Sequence, residues 1–163
     1  MAMKKVKEKI DFDVIEMSGK KYVLASQVSD YAKSFFETPF DIPSYRTIRY
    51  YVTNGIIKRP HKLGRKTYFE EKYILSVIKL LKSLSKWHLL TFQLKKIVLN
   101  VVYHNQVNET VRMLDKVYDS PWMTLGRREE IFNQLSTKEP KKVNISKIME
   151  KNYSTKYPFI QGE

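Results

Sequence analysis

The chain has 163 residues, with 30 Lys+Arg against 17 Asp+Glu, a net charge of +13 and a sequence pI near 9.7. A hydrophobic share of 42% with 13% aromatics is too high for a charged disordered tail, and the absence of cysteine excludes disulfide frameworks, zinc–thiolate sites and thiol nucleophiles. No stretch reaches the roughly 20 apolar residues of a membrane span, and the Lys-rich start has no apolar run behind it, so neither membrane insertion nor a secretory leader is expected.

Taken in chain order, residues 1–19 read as a flexible basic arm followed by a short strand (Phe12, Val14, Ile15, Met17) and a Ser18-Gly19 turn. From Tyr22 the apolar positions Leu24, Val28, Tyr31, Ala32 and Phe35 fall on one helical face, with Ser26 and Ser29 on the polar side. The stretch from Glu37 to Pro43 holds two prolines and is expected to be a loop. Ser44 then caps a second helix running to Asn54 and stopped by Gly55. Its Ile48, Tyr51 and Val52 share a core face, leaving Tyr45, Arg46, Arg49, Tyr50 and Thr53 for solvent or a ligand.

The segment from Ile56 to Phe69 reads as a β-hairpin, its ends Ile56-Ile57 and Thr67-Tyr68-Phe69 flanking a middle with Pro60, Gly64 and the cations Lys58, Arg59, Lys62, Arg65 and Lys66. Helical spacing returns with Ile74, Val77, Ile78, Leu81 and Leu84, breaks at Trp87-His88, and resumes with Leu90, Leu94, Ile97, Val98 and Val101. The positions Val107, Val111, Leu114 and Tyr118 then either prolong this helix or form another. They are expected to bury their face in a second copy of the chain, the alternative being a fold back onto the same chain. A turn over 119–122, a short helix over 126–135, a polar linker from Ser136 and a helical or mobile tail complete the reading.

Charge is focused. Residues 1–39 carry +1, 40–70 carry +5, 71–104 carry +5 and 105–163 carry +2, so ten of the thirteen net charges lie between 40 and 104. A central focus points to a binding face for a polyanion. Guanidinium forks match guanine edges and phosphates, tyrosyl hydroxyls donate to phosphate, and ammonium groups on a hairpin tip suit a sugar–phosphate backbone. Solubility and an anionic membrane satisfy the same arithmetic.

The run Arg46-Thr-Ile-Arg-Tyr-Tyr51, then Gly55-Ile-Ile57, then Arg65 with Tyr68, then Ile74/Ile78/Leu81/Leu84 and Leu94-Lys-Lys-Ile97 resembles the winged helix-turn-helix domain of MerR-type transcription regulators over residues 20–100. The resemblance implies a mainly α fold with a small basic β-hairpin wing, a helical dimerisation segment over 101–135 and a linker and tail over 136–163. It further implies a homodimer on a pseudo-palindromic operator in double-stranded DNA, with RNA polymerase or a regulatory protein as a further partner, in the cytoplasm on the nucleoid. The expected DNA-binding set is Tyr45, Arg46, Arg49, Tyr50, Lys58, Arg59, His61, Lys62, Arg65 and Lys66; the expected dimerisation set is Val107, Val111, Leu114 and Tyr118. The 34–43 loop is longer than the family's tight turn, and metal- or redox-sensing members use cysteines that this chain lacks.

No catalytic residue, cofactor or metal is expected. His61, His88 and His104 are scattered, no Gly-rich phosphate loop or nucleophile elbow occurs, and Glu70-Glu71 and Glu129-Glu130 are adjacent, which points them to different helix faces. Two alternatives remain at this level: a DNA-bending, excisionase-like accessory protein of a mobile element, and a basic module for RNA or a membrane surface.

Overall fold

The computed structural model describes residues 11–36, 41–118, 120 and 123–136. These residues form β1 (Val14–Met17), β2 (Lys20–Leu24), a 3₁₀ turn (Ala25–Gln27), α1 (Val28–Phe35), α2 (Tyr45–Thr53), β3 (His61–Leu63), β4 (Lys66–Glu70), α3 (Glu71–Ser85), α4 (Thr91–Tyr103), α5 (Val107–Tyr118) and α6 (Leu125–Leu135). The fold is mainly α, with one antiparallel sheet ordered β1-β2-β4-β3. The arm over 1–10, most of the 119–122 turn, and the linker and tail beyond Ser136 lie outside the described residues.

The sheet corrects one expectation. Tyr22 to Leu24 do not open a helix; they pair with β4, Tyr22 opposite Glu70, Val23 opposite Phe69 and Leu24 opposite Tyr68. Tyr, Val and Leu fit a pleated, half-buried surface, and pairing buries Val23 and Phe69. Helical spacing therefore holds only from Val28. Ser29, expected on the polar side, is buried, and its hydroxyl donates to the Pro43 carbonyl at 2.8 Å, tying α1 to the approach to α2.

α2 is bounded as its sequence predicts. Ser44 Oγ accepts from the Thr47 amide at 3.2 Å, satisfying one free donor of the first turn. At the other end Gly55 adopts φ +75°, its amide reaching the Val52 carbonyl at 3.1 Å and the Ile56 amide reaching that of Tyr51 at 2.9 Å. This cap drives Ile56 and Ile57 into the core, so they are not the first arm of the hairpin, whose strand begins only at His61.

α3 is the central helix, burying Ile74, Val77, Ile78, Leu80, Leu81 and Leu84. After α4 the same kind of cap recurs: Asn105 takes φ +53°, and the Gln106 amide bonds the Val101 carbonyl at 3.0 Å. The chain therefore turns instead of extending one long helix, and α5 packs back along α3. This corrects the expected dimerisation set. Val107, Val111 and Leu114 are buried in the chain's own core, and Tyr118 packs edge-on to Trp87 at 5.2 Å. α6, capped by Thr124 Oγ1 on the Arg127 amide, lies on α4, where Asn100 Nδ2 donates to the Leu135 carbonyl at 2.7 Å.

Candidate nucleic-acid interface

Residues 42–69 contain seven Lys/Arg and no acid. The fold divides these cations among different faces. On α2, Ile48 is fully buried and Tyr51 and Val52 pack on the core, so Tyr45, Arg46, Arg49, Tyr50 and Thr53 stand outward. The Arg49 guanidinium lies 5.8 Å from the Tyr45 ring centroid, and Thr53 Oγ1 donates to the Arg49 carbonyl at 3.0 Å.

The hairpin stands beside this face. A groove of about 230 Å³ separates the two, lined by Tyr45, Arg49 and Thr53 from α2 and by Pro60 and Thr67 from the hairpin, over a floor of Ile48 and Phe69. Arg59, His61, Lys62, Arg65 and Lys66 are all exposed on the hairpin and its approach. His61 meets the Tyr22 ring edge-on at 5.4 Å. The fold thus joins Tyr45 and Arg49 to the hairpin through one groove.

Two expected cations are differently engaged. Lys66 Nζ lies 3.3 Å from Asp13 Oδ2, which also accepts from Tyr68 Oη at 3.0 Å. Burial first, then the hydrogen bond and charge of Asp13, push the Tyr68 hydroxyl up, while Lys66 pulls the other way. Lys58 is set apart from the α2 groove. Its amide donates to Tyr73 Oη at 2.8 Å, and its ammonium lies 5.4 Å from that ring centroid, beside α3 and α4.

Three residues outside the expected set take part in this surface. Thr91 Oγ1, at the start of α4, is 3.3 Å from Tyr50 Oη. Lys95 brings its ammonium to the C-terminal end of α2, where a Cβ on Gly55 would meet it at 3.3 Å. Free carbonyls and the helix dipole favour a cation there. The third is Asp13, which no local pattern connects to the hairpin, because only the pairing of β1, β2 and β4 brings it there.

Compared with models of known protein families, with curated proteins and with solved structures, the chain matches none. No helix among the described residues is long and apolar enough to cross a membrane.

Proposed function

We propose that the chain is a sequence-specific, double-stranded-DNA-binding transcription regulator that acts as a homodimer and works by binding, not catalysis. The observation that carries this reading is the shared groove between the outward face of α2 and the basic hairpin. A helix of roughly 10–12 Å diameter fits the roughly 12 Å major groove. With α2 inserted, Arg46 and Arg49 reach base edges, Tyr45 and Tyr50 reach phosphates, and Arg59, His61, Lys62 and Arg65 meet the flanking backbone.

In this reading α1 and α2 form the helix-turn-helix and β3–β4 the wing, in the manner of the MerR-type regulators that Arg46 to Tyr51 resemble. The protein acts on the nucleoid in the cytoplasm, with RNA polymerase or a regulatory protein as a further partner. Selection from random duplex DNA, followed by sequencing of the bound fraction, tests the proposal. Enrichment of two inverted half-sites about one helical turn apart is expected. Failure to enrich any sequence at moderate salt removes sequence-specific reading.

A further inference from the structure

If α5 is committed to the core, a homodimer needs another face. α4 offers one. Tyr103 is 74% exposed, Phe92 56% and Leu99 44%. Counted from Phe92 they fall at i, i+7 and i+11, with Lys96 at i+4, which is a single stripe along the helix. Beside the stripe runs a groove of about 420 Å³ lined by Ile56, Lys58, Tyr73, Val98 and Val102, with Leu99 and Tyr103 on its wall. Exposed apolar side chains in one stripe along a helix are self-complementary under a two-fold axis.

We infer that two copies of the chain meet through this face of α4, packed antiparallel with Leu99 on the two-fold axis; the inference rests on the dimeric reading above. Area supports it. An aromatic side chain buries about 150–250 Å², so Phe92 and Tyr103 at 56% and 74% exposure leave about 250 Å² uncovered. That is about a third of the roughly 800 Å² that a standard interface takes from each partner, before the Leu99 and Val102 surfaces and the lysine stems are counted.

Charge selects the orientation. α4 carries Lys95 and Lys96 and no acid. Parallel packing sets these lysines against their own copies, which is destabilising. Antiparallel packing about Leu99 sets Lys96 against the partner's Val102 and parts each lysine from its own copy, while the Lys95 ammonium lies at the end of α2 beside Gly55. Lys96 Nζ already lies over the Phe92 ring, 5.7 Å from its centroid, which carries that charge away from the axis. At 1.5 Å rise per residue the two Thr91 positions then stand about 24 Å apart along the helix direction. The displacement of each α2 from its Thr91 can make up the rest of the roughly 34 Å of one DNA turn.

The absence of cysteine makes the test direct. Leu99→Cys is expected to form a disulfide-linked dimer on mild oxidation of the full chain, because residues on the axis face each other, whereas Arg112→Cys on the exposed side of α5 is not. In sedimentation equilibrium, Leu99→Glu is expected to weaken self-association roughly 30-fold or more. Circular dichroism checks that each variant is folded, and Tyr103→Glu at the more exposed position is read in its place if Leu99→Glu is not. A wild-type chain that stays monomeric to about 100 µM overturns the inference, and this is the result if residues 137–163 or another protein cover α4. A dimer indifferent to Leu99→Glu and uncrosslinked through Leu99→Cys overturns it equally. A crosslinked dimer without duplex affinity leaves the interface standing and removes the regulator; a selected duplex bound by monomers does the reverse.

Discussion

Lys66 Nζ lies 3.3 Å from Asp13 Oδ2, so one cation of the hairpin carries its own counter-ion from the residue just before β1, two strands across the sheet. Exposed pairs of this kind contribute about 0–1 kcal/mol to stability, but they remove a charge from the ledger a polyanion sees. Asp13→Asn is expected to steepen the salt dependence of duplex binding by about 0.9 in log K against log salt, the increment for one further neutralised phosphate. Fluorescence anisotropy across a salt series measures it. An unchanged slope means that Lys66 does not face the duplex.

Arg46 and Arg49 belong to the proposed reading helix, Lys62 and Arg65 to the proposed backbone grip. Arg46→Ala or Arg49→Ala is expected to cost about 1–3 kcal/mol on a selected site and to relax preference at one base position. Lys62→Ala or Arg65→Ala is expected to weaken selected and random duplexes alike. Competition binding with both duplex types separates the classes, and equal losses on both for the α2 variants would remove α2 as the reader.

Leu114 tests the placement of α5. It is wholly buried among residues of the same chain, so Leu114→Ala is expected to cost about 2–5 kcal/mol of folding stability. Because the contact is intramolecular, that difference from wild type is expected to be the same at low and high protein concentration in urea denaturation. A difference that shrinks on dilution would place Leu114 between subunits.

Two glycines with similar backbones are expected to respond differently to alanine. Gly55 and Gly64 have φ of +75° and +64°, conformations that cost an L residue about 1 kcal/mol. A methyl on Gly64 meets nothing within 4 Å, whereas one on Gly55 meets Lys95 Nζ at 3.3 Å. Gly55→Ala is therefore expected to lower duplex affinity as well as thermal stability, and Gly64→Ala chiefly stability, as thermal melts paired with binding curves will show.

Tyr31 contributes to the alkaline limb of the stability profile. Its hydroxyl donates to Glu71 Oε2 at 3.0 Å and is pushed up to about 12, chiefly by burial and then by the hydrogen bond and charge of Glu71. The folded state favours the neutral phenol, so this contribution is complete below the unfolded value near 10 and is lost as pH rises through about 12. Tyr31→Phe is expected to cost about 1 kcal/mol near neutrality and to leave a shallower decline between pH 10 and 12. Urea denaturation at stepped pH reads both.

What the sequence determined by itself is local. The Ser44 cap, the Gly55 stop, the core stripe of α2, the α3 spacing and the turn at Gly64 each depend on residues a few positions apart, and each is present in the fold. The charge focus over 42–69 needs only counting. Tertiary structure decided the rest, because period and composition do not state partners. Tyr22 to Leu24 carry apolar residues compatible with either helix or strand, and only pairing with β4 chooses the strand. Val107, Val111, Leu114 and Tyr118 present an apolar stripe equally suited to a second chain or to α3, and the left-handed turn at Asn105 settles it by reversing the chain. Asp13 and Lys66 are 53 residues apart, and Lys95 and Gly55 are 40 apart, so no spacing rule joins them. The same folding that uses up α5 leaves Phe92, Leu99 and Tyr103 uncovered on α4, because a helix stripe is core or surface only relative to what packs against it.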